Sequence, residues 1–280
     1  MEPLHKHARS LAPALQPVIS CNALSRARTT IEDFVQSYFP LHGLVVPQDF
    51  WRFWDILVFV EAVIYEMDEE NEALSTEGQT VPDVVLQGEE VLLAVLRERG
   101  LLSSAISEQL QEGRLYWQSE RDLCARMLRA NPAAASAQPP FSVEEVHAAS
   151  LRKSFDYRVL NLLLYNLTDT TPDRALLDFL YVDEHLVDIG DDLVDYEDDI
   201  EKNSFNIFRA YVHIFGKDAP LHLAKRISEF EALHHEKLQQ LPQAAQNAYH
   251  NRRKQASAVP GSEKWVFPKA ILYEAEYRST

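Results

Sequence analysis

Apolar residues recur at intervals of three and four along most of the chain, and no stretch shows sustained alternation of apolar and polar residues. That spacing gathers apolar side chains on one face of an α-helix, so it predicts an all-α protein. Proline, asparagine and glycine residues mark the interruptions. The predicted helices cover residues 17–38, 48–72, 83–99, 102–129, 142–167, 172–202, 204–215, 220–240, 243–257 and 262–277.

The longest interruption is an Ala/Pro-rich loop at residues 130–141. A loop of this kind can separate two domains, but each half of the chain is short for a hydrophobic core of its own. The predicted organisation is therefore a single all-α domain over residues 1–280, with residues 1–16 as a flexible N-terminus.

Charge and glycine content exclude two large classes of function. The chain has 280 residues, with 27 Lys and Arg against 43 Asp and Glu, which gives a formal net charge of −16. Nucleic acid is not an expected partner, because neutralising phosphates requires a basic face. The 8 glycines form neither a P-loop nor a G-x-G-x-x-G motif, which excludes most enzymes that cradle phosphates in a glycine-rich turn.

Cysteine usage and hydropathy favour a cytoplasmic protein. Cys21 and Cys124 are the only cysteines, so neither a disulfide framework nor a CxxC zinc site is expected. The best apolar run, residues 56–65, is too short to span a bilayer and contains Glu61, so no transmembrane segment is predicted. Residues 1–31 hold one acid, Glu2, beside four Lys or Arg residues, and organelle import by this transit-like segment stays open.

Acidic residues concentrate between residues 183 and 199, where nine carboxylates occur in seventeen residues without Lys or Arg. Asp191, Asp195 and Asp199 are spaced i, i+4 and i+8, so they stack on one helix face. Like charges at this spacing repel by about 0.2–0.5 kcal/mol each on an exposed helix. Two interpretations remain: a solvated acidic face, or a site where Mg²⁺, which prefers oxygen ligands, offsets the repulsion.

Residues 191–199, DDLVDYEDD, resemble the second metal motif of class I terpenoid synthases, (N/D)-D-(L/I/V)-x-(S/T)-x-x-x-E. The resemblance implies Asp191, Asp195 and Asp199 as metal ligands, with Asp replacing Ser/Thr at 195 and Glu at 199. It also implies the family's fold, a helical bundle that encloses a central cavity, and its cofactor, Mg²⁺ with Mn²⁺ as an alternative.

Four basic residues are similar in position to the family's diphosphate-binding groups. Arg152 is the best match for the arginine that senses the diphosphate, and Arg158 is the second. Lys202 follows the metal motif at the place of a further basic residue. Arg278 belongs to a Tyr277-Arg278 pair, the reverse of the family's Arg-Tyr order.

The family's first metal motif, DDxxD, has no direct counterpart in this chain. Its place is taken by residues 51–72, where Glu61 and Asp68 share a helix face and are the acids expected to replace the motif. Glu61 lies inside an apolar run, where a fully buried carboxylate is expected to be paired or bound to metal.

The resemblance implies a carbon–oxygen lyase of isoprenoid biosynthesis, in which Mg²⁺ assists ionisation of a prenyl diphosphate before cyclisation or elimination in an apolar cavity. Asp191, Asp195, Asp199 and Arg152 are then the catalytic residues. The expected partner is a small isoprenoid substrate, and a homodimer is compatible with the sequence.

Three other interpretations are kept. A protein of the same fold that has lost ionisation would use its cavity on a substrate without diphosphate, or only for binding. A di-iron carboxylate bundle would use two ExxH pairs, Glu144 with His147 and Glu231 with His234. An acidic helical adaptor would dock its acidic helix on a basic partner.

Overall fold

The structure is a computed structural model that describes residues 19–76, 88–130, 139–256 and 265–279. Every regular element within these ranges is helical, and no strand occurs in them, so the all-α prediction is confirmed. No helix in the described ranges is long and apolar enough to cross a membrane. The N-terminus predicted to be flexible, residues 1–16, and most of the 130–141 loop lie outside the described residues.

Four α-helices lie in the described residues of the first half of the chain. Serine side chains begin two of them: Ser20 Oγ accepts a hydrogen bond from the Ala23 amide, and Ser103 Oγ accepts one from the Ile106 amide. Each bond satisfies a first-turn amide that has no partner within the helix. The helices are α1 (Cys21–Tyr38), α2 (Gln48–Thr76), α3 (Glu89–Glu98) and α4 (Ser104–Arg129), with a 3₁₀ turn at Phe39–His42.

Where the second half of the chain is described, it forms eight α-helices, and three predicted helices differ from them. The predicted helix 142–167 is divided at Lys153 and Ser154, and the predicted helix 172–202 is divided at Asp195. The described part of 262–277 is helical only in its last turn. The helices are α5 (Val143–Arg152), α6 (Phe155–Thr168), α7 (Arg174–Val194), α8 (Tyr196–Lys202), α9 (Ile207–Phe215), α10 (Ala219–Gln240), α11 (Gln243–Ala256) and α12 (Glu274–Tyr277).

Hydrogen bonds to distant residues accompany both divisions. The Lys153 and Ser154 side chains reach Asp192 and Asp188 of α7. At the other division, the Asn206 side-chain amide donates to the main-chain carbonyl of Asp192 at 2.5 Å, an acceptor that a continuous α7 would use for its own next turn. The local pattern of apolar residues carries no signal of either partner.

The packing of the helices brings α2 and α7 into a shared interior. Helix α2 packs against α1, α3, α4 and α6, and α10 packs against α7 and α9. The buried apolar side chains form one continuous cluster from Ala27 in α1 to Tyr249 in α11. Acids on the inward faces of α2 and α7 are therefore removed from water, and removing a charge from water is costly unless it is compensated.

A buried ion pair fixes the C-terminal segment to α9. The fully buried Arg209 donates to both carboxylate oxygens of Glu274, at 2.8 and 2.7 Å. Desolvation raises the pKa of Glu274, but hydrogen bonds from His213 and Arg209 outweigh it and lower that pKa to about 2. Arg278 joins the same carboxylate at 2.7 Å and donates to the Ile200 carbonyl at 2.7 Å.

Candidate functional site

One face of α7 carries carboxylates into the interior of the protein. Glu184, Asp188 and Asp192 are spaced i, i+4 and i+8 along the helix. Glu184 is 3% exposed, Asp192 is 2% exposed and Asp188 is half-buried. The stripe therefore has the spacing predicted for a metal motif, but on residues other than those that the motif predicts.

The division between α5 and α6 supplies the polar partners of this stripe. The Lys153 ammonium forms an ion pair with Asp192, and the Ser154 hydroxyl donates to Asp188. The amide of Ile207, at the start of α9, donates to the second oxygen of Asp192 at 2.6 Å. The two carboxylates are held in place by two segments that are far apart in sequence, residues 153–154 and the start of α9.

Helix α2 contributes the two acids that were predicted from its sequence. Glu61 is 0% exposed, and neither of its oxygens has a hydrogen-bond partner among the described residues. The Tyr65 hydroxyl lies close enough to favour the charged form of Glu61, but it does not reach either oxygen with hydrogen-bond geometry. Asp68 accepts a hydrogen bond from the indole N–H of Trp117 at 2.9 Å.

Asp156, in the first turn of α6, connects the acids of α2 with those of α7. Desolvation is the main cause of the raised pKa of Glu61, Glu184 and Asp188, and the Asp156 carboxylate raises each of them further. Acids from three helices thus lie within electrostatic reach of one another. We refer to the following residues as the interior acid cluster: Glu61, Asp68, Asp156, Glu184, Asp188 and Asp192.

Burial shifts most acids of this cluster towards their protonated forms. Desolvation raises the pKa of Asp188 to about 7, although Lys153 and Ser154 oppose the shift. Desolvation also raises the pKa of Asp156 to about 6. Lys153 is desolvated as well, but Asp192 and Asp188 outweigh that effect and raise the pKa of its ammonium. Lys153, together with the charges of Arg26 and Arg158, thus faces six carboxylates, and the remaining negative charge favours uptake of protons or of another cation.

A buried glutamate of α4 extends the acidic interior. Glu120 is 4% exposed and accepts hydrogen bonds from Asn71 at 2.7 Å and from the Phe205 amide at 3.2 Å. The pKa of Glu120 is raised to about 8. Desolvation is the main cause of this shift, and the Asp68 carboxylate is the next. This residue was not singled out from the sequence, because nothing in the local pattern shows that α4 turns it towards α2.

The three metal ligands predicted from the second motif do not converge on one point. Asp191 is exposed at the edge of α7, and Asp195 is exposed at the division between α7 and α8. Asp199, on α8, accepts a hydrogen bond from Asn206 at 2.9 Å. Desolvation raises the pKa of Asp199 to about 6, and Asp192 adds to the shift while Lys153 opposes it. Desolvation also raises the pKa of Asp191, with Lys153 opposing the shift and Asp192 adding to it, so Asp191 and Asp199 are the predicted ligands within electrostatic reach of the interior acid cluster.

Two predicted diphosphate-binding arginines lie in an open pocket of about 840 Å³ that is bordered by α4, α5, α6 and α7. Arg152 Nε donates to Glu112 at 2.8 Å, and Arg158 Nε donates to Gln109 at 2.6 Å. Arg158 also acts electrostatically on Glu184 in the interior. Arg152, in contrast, is engaged at the surface with α4.

The other two predicted basic residues lie elsewhere. Lys202 is the last residue of α8, and its charge opposes the desolvation that raises the pKa of Glu72 to about 6. Arg278 belongs to the C-terminal ion pairs around Glu274. The structure therefore does not bring Arg152, Lys202 and Arg278 to one site, and their binding of diphosphate stays a prediction.

The donor chemistry of the interior acid cluster fits Mg²⁺, because carboxylate oxygens are its preferred protein ligands and Glu61 has two buried oxygens without partners. Among the described residues, however, no three His, Cys, Asp or Glu side chains are placed to coordinate a single ion. Carboxylates such as Asp188 would have to turn away from their present partners to share one.

The two ExxH pairs have separate partners. His147 Nε2 lies 2.6 Å from the Tyr211 hydroxyl. His234 Nε2 lies 2.9 Å from Asp183, whereas Glu231 accepts a hydrogen bond from Trp265 at 2.8 Å. Glu231 and His234 therefore point to different neighbours, which gives the di-iron interpretation no geometric support in the described part of the chain.

Comparison with protein-family models, with curated proteins and with solved structures finds no significant match. The relation to terpenoid synthases therefore remains a resemblance of motif and order.

Proposed function

We propose that the protein is a Mg²⁺-dependent enzyme of the terpenoid synthase type, which ionises a prenyl diphosphate and converts the carbocation by cyclisation or elimination. One observation carries the proposal: α2 and α7, the helices expected to hold the two metal motifs, place acids in one interior cluster. Glu61 sharpens it, because a buried carboxylate without a hydrogen bond is costly unless a cation or a proton compensates it.

In this proposal the cations are held by carboxylates that face the interior: Glu61 and Asp68 from α2, Asp188 from α7 and Asp199 from α8. Bound Mg²⁺ would supply Lewis acidity that neutralises the leaving diphosphate. Lys153 is the basic residue that we propose to contact the diphosphate, because its ion pair with Asp192 places its ammonium beside the interior acid cluster.

Aromatic side chains beside the acids would exclude water from the reaction. Trp117 packs edge-on against Phe155 with ring centroids 5.1 Å apart, and Tyr157 packs against Phe34 at 6.0 Å. A carbocation survives only where water cannot quench it, so a dry aromatic wall next to the ionisation site is what the chemistry requires.

The test is incubation of the purified protein with geranyl, farnesyl and geranylgeranyl diphosphate, with Mg²⁺, with Mn²⁺ or with a chelator, while released diphosphate and isoprenoid products are measured together. We expect release that depends on the metal. Asp188→Asn should reduce it by roughly 100-fold or more, because a lost ligand weakens stabilisation of the leaving group. Asp198→Asn, at an exposed position of α8, is the matched control.

Variants at Asp191 and Asp195 separate the function from the choice of ligands. If Asp191→Asn and Asp195→Asn abolish turnover while Asp188→Asn leaves it intact, the function stands and the ligands are those of the motif. If no metal and no substrate gives diphosphate release, the ionising function is wrong.

A second candidate is a protein of the same fold that binds an isoprenoid without ionising it. The surface engagement of Arg152 with Glu112 favours this candidate, because it leaves the diphosphate-sensing arginine outside the interior. Calorimetric titration with farnesol identifies it: farnesol binding without diphosphate release from any substrate supports binding alone.

A further inference from the structure

A second pocket lies on the outer side of α7, away from the interior acid cluster. Its volume is about 680 Å³, and it is bordered by α7, α10, α11 and residues 265–266. The residues that line it from α7 include Asp183, Val187, Asp191 and Val194, which follow one another along the outward face of the helix. Nothing in the proposed ionisation chemistry uses this pocket.

An indole ring forms one wall of the pocket. Trp265 Nε1 donates a hydrogen bond to Glu231 on α10 at 2.8 Å. The ring also lies over the backbone of Gly190, where a Cβ atom would meet Trp265 Cζ3 at 3.7 Å. The indole is thus held between two helices, and a fixed aromatic wall of this kind can accept a cation against its π-face.

The charges around the pocket are mainly negative. Three acids line it, Asp183, Asp191 and Glu231, against one arginine, Arg253, and two histidines, His234 and His235. One oxygen of Asp183 is occupied by hydrogen bonds within the protein, whereas the Asp191 carboxylate forms no hydrogen bond or ion pair in the described ranges and is subject to the Lys153 charge only at longer range. A carboxylate beside an indole and without a partner is suited to a ligand that brings positive charge.

Three valines of the lining are open to solvent. Val187 is 48% exposed, Val194 is 84% exposed and Val266 is 70% exposed. Covering these side chains with an apolar group is favourable by about 25 cal/mol for each Å² of apolar surface that is buried. The pocket thus offers an apolar surface and a carboxylate within the space of a small molecule.

We propose that this pocket binds a small organic ammonium compound, with its alkyl part against the valines and its charged nitrogen between Trp265 and the carboxylates of Asp191 and Glu231. A divalent metal ion does not need the indole or the valines, and an anion is repelled by the carboxylates. An ammonium compound with a short alkyl chain can contact the indole, the carboxylates and the valines.

The experiment is isothermal titration of the full chain at low ionic strength with n-hexylammonium, n-hexanol and hexanoate, without divalent metal or diphosphate. The three probes share one alkyl chain and differ in charge. We expect n-hexylammonium to bind at least about fivefold more tightly than n-hexanol, as a desolvated cation on an indole implies. Hexanoate should not bind. Equal affinity for the ammonium and the alcohol would overturn the proposal.

Conservative variants locate the binding. Glu231→Gln removes the charge but keeps an oxygen that can accept from Trp265, and Asp191→Asn removes the second carboxylate. Each should weaken n-hexylammonium binding by about threefold or more. Glu236→Gln is the control, because Glu236 is exposed on the same helix outside the pocket. Binding that is unchanged in both pocket variants would refute the assignment, whatever the outcome of the diphosphate assay.

Discussion

The two faces of α7 have the same acidic character in sequence and opposite roles in the structure. On the inward face, Asp188 and Asp192 are held by Ser154 and Lys153. On the outward face, the Asp191 carboxylate lines an open pocket, has no hydrogen-bond or ion-pair partner in the described ranges, and is reached by Lys153 only at longer range. Both sets contain carboxylates one turn apart, so spacing alone does not decide which set is functional. The side chains that other helices place against each face determine which set of carboxylates is functional.

The largest expected effect comes from removing the ammonium of the inward face. Lys153→Met should lower the free energy of unfolding by about 3 kcal/mol, because it leaves the carboxylate of Asp192 buried without its counter-ion. Chemical denaturation at pH 7 measures it. Arg174→Met is the control, since Arg174 is 87% exposed in its ion pair with Asp178 and should cost less than about 0.5 kcal/mol. Similar small losses in both variants would show that the inward face is solvated like the outward one.

The next effect is a pH dependence that the inward acids produce. Desolvation holds the pKa of Asp188 at about 7 and that of Glu120 at about 8, both above their unfolded values. The folded state therefore binds these protons more tightly, and the stability they provide is lost as the pH rises through 7 and 8. The free energy of unfolding should fall by about 2 kcal/mol between pH 6.5 and 8.5. Histidines with lowered pKa, such as His185 at about 3, oppose this fall only near pH 6.5, where their unfolded imidazoles still bind protons.

Denaturation curves with a chelator at a series of pH values measure this slope. Glu120→Gln should flatten it, because the amide keeps the hydrogen-bonding shape of the side chain without its proton. Glu236→Gln, at an exposed site, should leave the slope unchanged. A stability that rises with pH over this range would mean that the interior carboxylates are charged and compensated.

The sequence predicts the helical class and most helix positions because local spacing determines both. It does not predict the division at Lys153 and Ser154, since their partners lie on α7, some forty residues further along the chain. For the same reason Asp156 was missed. Glu61 could be identified, because a carboxylate within an apolar run is a signal that belongs to the local sequence.

The choice of acids on α7 was harder to predict for a different reason. Asp191, Asp195 and Asp199 lie on one face only if the helix is continuous, and it is divided at Asp195. The side chain of Asn206 accompanies that division by taking the Asp192 carbonyl. A tertiary hydrogen bond therefore changes which carboxylates can share a site, and no periodicity within the acidic segment shows it.

A smaller effect is expected from the hydrogen bonds of the outward face. The Tyr249 hydroxyl lies 2.7 Å from Asp183 and 2.9 Å from His234, and these bonds join α11 to α7 and α10. Tyr249→Phe should lower the free energy of unfolding by about 1–1.5 kcal/mol, the net value of such bonds. Tyr273→Phe is the control, because Tyr273 is 50% exposed. A loss as large as that of Lys153→Met would mean that the two faces are equally dependent on polar contacts.

The smallest expected effect tests the openness of the outward face with a single methyl group. Gly190→Ala adds a Cβ in ordinary contact with Trp265, at 3.7 Å, and removes a glycine from the interior of a helix. It should stabilise the protein by about 0.5–1 kcal/mol, through the lower backbone entropy of the unfolded chain.

Gly113→Ala is the matched change inside the protein, where the Cβ would overlap the ring of Phe155. That variant should be destabilised by about 1–3 kcal/mol, because a packed interior cannot move aside for the added group. Opposite signs for the two variants in thermal and chemical unfolding would confirm that the outward face of α7 is open whereas the contact between α4 and α6 is filled. A loss of stability at Gly190 would mean that Trp265 is packed too tightly for the pocket to admit a ligand.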